Sequence, residues 1–266
     1  LKMKTISTFI KVALVALIST PTLAQSPILV EDVNAGGDAS PYNLIDFNNQ
    51  LYYICDDGIN GFELWTHDGV NPPSMVSDIN PSGDGVLLDS KAIYNGKLYF
   101  CADDGTNGHE LWEYDGVNPP AMVADINPSG NSLPYAMCVF GGNLYFQATD
   151  GTSGIELWKY DGATASLVSN INPTGDSEPD YLFAYGSKMY FQATDGVNGH
   201  ELWTYDGSTV SMLHDFSTSY EGYPKDFAVY NGDLYFSVYE ESLGRELFKL
   251  NGSGIPVLAF ELVAGT

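Results

Sequence analysis

The sequence contains few basic residues, few cysteines and only one pronounced apolar run. Ten Lys and Arg residues stand against 34 Asp and Glu residues, which gives a formal net charge of −24 at pH 7. A chain this acidic repels nucleic acid and anionic lipid surfaces, so neither is expected as a partner. The acidity either attracts cations or simply keeps an exported protein soluble.

The three cysteines do not have the spacing of a metal centre. Cys55, Cys101 and Cys138 are odd in number and occupy different positions of the repeat described below. This pattern predicts small core residues. A Cys55–Cys101 disulfide between neighbouring repeats is the alternative in an oxidising compartment.

The apolar run lies near the start of the sequence. Lys2 and Lys4 precede the run Val12–Ile18, and Thr22–Ala24 forms a small-residue cleavage motif. Seven apolar residues are too few to span a bilayer of roughly 30 Å. We therefore predict that residues 1–24 are a signal peptide, that the mature chain is extracellular, cell-surface or periplasmic, and that no segment spans a membrane.

The remaining sequence is a repeat of 45–47 residues. The phrase GHELWEYDG recurs as GFELWTHDG, GIELWKYDG and GHELWTYDG, with the drifted copy GRELFKLNG near the end. Each unit has four short runs rich in Tyr, Phe, Trp, Val and Ile, which are typical of strands. The second run of each unit begins at Leu51, Leu98, Leu144, Met189 and Leu234.

Two residues separate the first two runs of every unit, and they are the residues that tight hairpin turns require. Four antiparallel strands in each repeat predict an all-β fold, namely a β-propeller of about five four-stranded blades over residues 25–266. An open β-solenoid is the alternative fold. The turn residues are Asn48-Asn49, Asn95-Gly96, Gly141-Gly142, Gly186-Ser187 and Asn231-Gly232.

The sequence leaves the closure of the ring open. Ile28–Val33 matches the fourth run of a unit and would complete the last blade, in which case Val257–Val263 is surplus or takes that position itself. The fifth unit has drifted, with Phe248 in the tryptophan position and Glu240-Glu241 replacing Asp-Gly. The chain is therefore either a five-bladed ring or part of a longer array.

The order of these motifs resembles that of the bacterial ELWxxDGT repeat proteins. Asn-Gly, LYFxA, an Asp-Gly-x-x-Gly loop, ELW, Asp-Gly and a D-I-N-P-x-G segment follow one another over residues 28–266. The resemblance implies export and a propeller-like repeat fold. It implies no established chemistry.

A pair of acidic residues recurs in each unit and suggests a calcium loop. An Asp is followed six residues later by a Glu, with Asn or Ser and a Gly between them, and oxygen ligands on a tight turn suit a hard cation. The alternative interpretation is structural, with the Asp capping a turn and the Glu bonding to backbone. The pairs are Asp57 and Glu63, Asp104 and Glu110, Asp150 and Glu156, and Asp195 and Glu201.

The aromatic residues of the ELW segment are expected to differ in exposure. Trp65, Trp112, Trp158 and Trp203 recur in mid-strand, which favours packing between blades over sugar binding. The aligned Tyr114, Tyr160 and Tyr205 lie near a turn and are expected at the surface.

No motif of the chain predicts an enzyme. The repeated carboxylates imply a symmetric ring, whereas a glycoside hydrolase needs two carboxylates in different environments. Only Glu178, Asp180 and Glu221 depart from the repeat as candidates. We therefore expect a non-catalytic scaffold that binds a protein or carbohydrate partner through an acidic loop face. Calcium is the one cofactor that the sequence suggests. The alternatives are a structural adhesion module or a glycoside hydrolase.

The calcium hypothesis predicts a calcium-dependent melting temperature. Calcium loops would raise the Tm at millimolar calcium relative to a chelator, because a ligand that binds only the folded state stabilises it. A Tm that is equal in the two conditions would eliminate calcium.

Overall fold

The computed structural model describes residues 28–86, 90–217 and 221–260. The chain divides into two units, residues 1–30 and 31–266, and every described strand lies in the second. The predicted signal peptide, residues 1–24, lies outside the described residues. No helix in the described ranges is long and apolar enough to cross a membrane.

The second unit is an all-β propeller of five blades, each a four-stranded antiparallel sheet with its strands in sequence order. Blade 1 contains β1 (Tyr42–Phe47), β2 (Gln50–Asp56), β3 (Phe62–His67) and β4 (Ser74–Ser77). Blade 2 contains β5 (Lys91–Tyr94), β6 (Lys97–Asp103), β7 (His109–Tyr114) and β8 (Ala121–Ala124). Blade 3 contains β9 (Tyr135–Phe140), β10 (Asn143–Thr149), β11 (Ile155–Tyr160) and β12 (Ala165–Ser169).

The last two blades have the same arrangement. Blade 4 contains β13 (Asp180–Tyr185), β14 (Lys188–Thr194), β15 (His200–Tyr205) and β16 (Val210–His214). Blade 5 contains β17 (Lys225–Tyr230), β18 (Asp233–Glu240), β19 (Gly244–Leu250) and β20 (Pro256–Phe260). The strand prediction of four per repeat is therefore confirmed.

The two-residue turns form the predicted hairpins. Asn48 and Asn49 have φ of 53° and 60°, and Gly141 and Gly142 have φ of 55° and 82°. Positive φ at both turn residues gives a hairpin whose twist matches the flanking strands. Asn tolerates this backbone region better than most residues, and Gly adopts it without steric cost.

Apolar clusters that contain leucines and aromatic residues join neighbouring blades. Between blades 1 and 2, Leu64 belongs to one cluster with Phe100 and Trp112. Equivalent clusters join blades 2 and 3, 3 and 4, and 4 and 5. Trp112, Trp158 and Trp203 belong to these clusters, which confirms the predicted packing between blades, whereas Trp65 is buried among residues of blade 1 and the segment before it.

The prediction for the tyrosines after the tryptophans was wrong. Tyr160 and Tyr205 are buried, and Tyr114 is half-buried. Each belongs to a group of three aromatic rings; in one, Tyr160 lies 5.7 Å from Tyr99 and 6.4 Å from Tyr94 between ring centroids. A position near a turn is covered here because the neighbouring blade supplies two further rings.

The two ends of the array differ from the inner blades. Ile28–Val33 forms no strand, and β20 takes the fourth position of blade 5 itself. Val33 packs with Tyr53 and Trp65 on the outer face of blade 1. At the other end of the array, Leu247 of blade 5 is 43% exposed, whereas its equivalent Leu64 is buried against blade 2. Among the described residues, no apolar cluster joins blade 5 to blade 1.

The cysteines are free thiols. Cys55 and Cys101 are fully buried, as expected for small core residues, and Cys138 is half-buried. The alternative Cys55–Cys101 disulfide is not formed. Burial raises the pKa of the Cys55 thiol to about 12, so the thiol stays protonated and unreactive.

The blade interface predicts a large difference between two equivalent leucines. Leu111 is fully buried between blades 2 and 3, whereas Leu247 is 43% exposed. We expect Leu111→Ala to lower the free energy of unfolding by about 2–5 kcal/mol. The matched change Leu247→Ala should cost about 1 kcal/mol or less. Urea denaturation measures both, and equal losses would contradict this assignment of the interfaces.

Candidate functional site

Two sets of loops meet at one end of the blades. The backbone N–H of Phe62, which begins β3, donates to Asp84 Oδ1 in the connection after β4, at 2.9 Å. A Cβ atom on Gly105, which has φ of 77°, would lie 2.7 Å from Asn80 Oδ1. The turn between the second and third strands therefore packs against the D-I-N-P-x-G segment. We call this end the loop end.

The aspartates of the predicted calcium loops cap their own turns. Asp57 Oδ1 accepts hydrogen bonds from the N–H groups of Ile59 (2.9 Å) and Asn60 (2.8 Å), and its Oδ2 accepts from Asn60 Nδ2 at 2.7 Å. Burial raises the pKa of Asp57, but these hydrogen bonds outweigh it and lower the pKa. The same caps form at Asp104, Asp150 and Asp195.

The glutamates of the same pairs are fully buried and bind a different segment. Glu110 accepts hydrogen bonds from Ile126 N–H at 2.7 Å and from Ser132 Oγ at 2.6 Å. Each glutamate therefore connects the third strand of its blade, through hydrogen bonds, to the D-I-N-P-x-G segment. In blade 4 the glutamate bonds to the segment that takes the same position. Glu63, Glu156 and Glu201 make the corresponding contacts and are 0% exposed, like Glu110.

The buried glutamates fall into two classes. Among the described residues, no hydroxyl donates to Glu63 or Glu201, because Gly85 and Gly222 occupy the position that Ser132 holds beside Glu110. Burial raises the pKa of Glu63 and of Glu201 to about 7. Glu110 and Glu156 also have raised pKa values because of burial, and a serine hydroxyl opposes the rise in each case.

The structure therefore places the two members of each pair in separate hydrogen-bond networks. This is the arrangement expected from the structural interpretation of the acids. In the part of the chain that is described, no group of three or more His, Cys, Asp or Glu side chains is arranged to hold a metal ion. Calcium binding stays a prediction for solution measurement.

Glu178 and Glu221 both contact one histidine. His200 Nδ1 lies 2.8 Å from Glu221 Oε2, and His200 Nε2 lies 3.2 Å from Glu178 Oε2. The imidazole also stacks on Tyr223, with 5.1 Å between ring centroids. A neutral imidazole has one N–H, so only the doubly protonated ring donates to both carboxylates. His109, in the same repeat position, lies 3.8 Å from Asp103.

Beside this group, bulges reshape the first strands of blades 3 and 4. Ala136 and Tyr181 have φ of 53° and 54°, and the strand register shifts at both positions. A bulge redirects neighbouring side chains at a sheet end. Tyr135 and Asp180 are the residues immediately before the two bulges.

These residues line a cavity of about 190 Å³ at the loop end, which we call the inner cavity. Asp180 accepts a hydrogen bond from Tyr181 N–H at 2.6 Å, and burial raises its pKa. A second cavity, of about 260 Å³, shares Tyr135 and Asp180 and is also lined by Lys91. The inner cavity is lined by Tyr135, Gln147, Ile155, Glu178, Asp180 and Gln192.

Sequence reasoning identified Glu178, Asp180 and Glu221 but missed the residues beside them. Gln147 and Gln192 lie opposite Tyr135 and Asp180 in the strand ladders. A signal for them was present, because blades 1 and 2 have Ile54 and Cys101 in this position of the repeat. Polar side chains in a position that is apolar in blades 1 and 2 indicate a need for hydrogen-bonding groups.

No protein-family model and no curated protein matches the chain. Solved propeller structures are similar to it. A puromycin-hydrolyzing peptidase from Mycobacterium tuberculosis is 10% identical, with a TM-score of 0.55 over 85% of this chain and 37% of that one. A puromycin hydrolase is 13% identical, with a TM-score of 0.53 over 88% of this chain and 41% of that one. TolB from Acinetobacter baumannii is 13% identical, with a TM-score of 0.49 over 77% and 50% of the two chains.

At these identities the likeness shows the propeller fold alone. The chain spans only 37–41% of the length of the two hydrolases.

Two of the buried glutamates, Glu63 and Glu201, predict a pH dependence of stability. Their pKa of about 7 lies above the ordinary 4.5, so the folded state holds the proton more tightly than the unfolded state. Their contribution is complete below about pH 4.5 and is lost as the pH rises to about 7. We expect the urea midpoint of wild type to fall between pH 4.5 and 7.5. Glu201→Gln should make this fall smaller.

The exposed Asp46 provides the control, because Asp46→Asn makes the same change of charge without a buried carboxylate. An Asp46→Asn midpoint should follow the wild-type curve. A Glu201→Gln curve parallel to wild type would contradict the assignment.

Proposed function

We propose that this chain is a secreted, non-catalytic β-propeller that binds a protein or glycan partner at its loop end. The observation that carries the proposal is a difference in contacts between the acids that recur in the repeat and the acids that do not. The repeated aspartates and glutamates are engaged in turns and between strands. Glu178 and Asp180, which have no acidic counterpart in the other blades, instead line the inner cavity, and Glu178 contacts His200.

Two sequence features support the remaining parts of the proposal. The signal-peptide pattern of residues 1–24 and the resemblance to ELWxxDGT repeat proteins favour export. The net charge of −24 favours a partner with positive charge at the contact. A charged contact of this kind accelerates association and weakens as salt increases.

A glycoside hydrolase is a second candidate, favoured by one observation. Asp180 and Glu178 line the same cavity in different environments, since burial raises the pKa of Asp180 while Glu178 contacts His200. Glycoside hydrolysis needs one protonated carboxylic acid and a second, ionised carboxylate in a different environment. Release of the chromophore from nitrophenyl glycosides by wild type and not by Asp180→Asn would favour the enzyme over the binding scaffold.

The binding proposal predicts that Glu178 contributes more to ligand binding than other exposed carboxylates do. We expect labelled protein to bind particular ligands on an array of glycans and of basic and neutral peptides. Glu178→Gln should weaken that binding by about tenfold or more, because it removes a charge that lines the inner cavity and contacts His200.

Asp46→Asn is the matched control, since Asp46 is exposed and lies beside the hairpin turn of blade 1, away from the loop end. Its binding should equal that of wild type. A Glu178→Gln profile identical to wild type, or no bound ligand on the array, would overturn the proposal.

A further inference from the structure

The inner cavity contains a buried amide without a hydrogen-bond partner. Gln192 is 7% exposed and lines the cavity, and no described residue hydrogen-bonds to its side chain. Ile54 and Cys101, in the same position of blades 1 and 2, are fully buried without needing a polar partner. The Gln192 amide therefore keeps hydrogen-bonding capacity that a ligand in the cavity can use.

The same cavity contains a carboxylate without a counter-ion. Asp180 accepts the Tyr181 N–H and takes part in none of the ion pairs between described residues. Glu178 lines the same cavity, so two acidic side chains border one small volume. Because burying an unpaired charge is costly, a cation that enters the cavity gains from pairing with Asp180.

The remaining walls suit a positively charged nitrogen on an aliphatic chain. The amide oxygens of Gln147 and Gln192 can accept hydrogen bonds from an ammonium group. Tyr135 also lines the cavity, and Ile155 provides an apolar surface for methylene groups. The volume of about 190 Å³ is below the roughly 300–1,000 Å³ of pockets for drug-sized molecules. The cavity therefore fits one side chain and not an oligosaccharide.

We propose that the inner cavity binds the ammonium group of a lysine side chain on a partner protein, with Asp180 as its counter-ion and Gln192 as a hydrogen-bond acceptor. The inference rests on the proposed function, because it names the chemistry of the partner at the loop end. Lys91 borders the larger cavity and donates to the Asn43 carbonyl. It is a separate cation from the one proposed here.

The experiment is an NMR titration of the intact protein with Nα-acetyl-lysine methylamide. We expect saturable shifts of the Gln192 side-chain amide resonances. Nα-acetyl-norleucine methylamide, which has the same chain without the charge, should cause no saturable shift. Asp180→Asn should weaken lysine binding at least tenfold, and Asp46→Asn should leave it unchanged.

Gln192→Leu is a second variant, since it places an apolar side chain where blade 1 has Ile54. It should also weaken lysine binding in a protein that melts at or above the wild-type Tm. Equal binding of the lysine and norleucine compounds, or unchanged affinity in both cavity variants, would overturn the proposal. Saturable binding of methyl glucoside in place of the lysine compound would overturn it as well and assign the cavity to a sugar.

The two proposals can fail separately. Array binding that depends on Glu178, without a lysine response in the titration, would overturn only the lysine site. A lysine response confined to the cavity, with no ligand on the array, would support the lysine site and overturn the broader binding proposal.

Discussion

The fold depends on a buried carboxylate that joins each blade to its own connecting loop. In blades 1 to 4 a glutamate of the third strand, such as Glu110, is removed from solvent and accepts hydrogen bonds from the loop after the fourth strand. That loop leads into the next blade, so each bond sets where the next sheet begins. Hydrogen bonds to a buried carboxylate are strong, and an unsatisfied one is costly. The apolar clusters between blades then fill the space that these bonds define.

This constraint also explains the distribution of charge at the loop end. Acids that recur in every blade are used within the protein, as Asp57 is in its turn and Glu63 in its loop contact. A regular ring of such acids presents no single place for a ligand. Asymmetry enters where side chains leave the repeat, and the contact between His200 and Glu178 is one such place. The adjacent cavities combine this asymmetry with a buried amide and an unpaired carboxylate.

Much of the fold could be predicted from the sequence because its signals are local and repeated. The Asn48-Asn49 turn and the ELW strands follow from backbone preferences and residue periodicity. The burial of Tyr160 could not be predicted, because its cover comes from Tyr94 and Tyr99 of the neighbouring blade. The candidate site could likewise be predicted only in part. Glu178 and Glu221 were visible as departures from the repeat, but their common contact with His200 depends on how two distant loops fold together.

The central claim is that the repeated carboxylates are internal connections and the unrepeated ones are available to a ligand. The most direct measurement is a ¹³C NMR pH titration of the assigned glutamate and aspartate carboxyl groups, with calcium and with a chelator. The account predicts that Glu63 and Glu201 titrate with a pKa of about 7 in both conditions. Titration of these two groups near the ordinary 4.5, or a large change in their resonances on adding calcium, would contradict it.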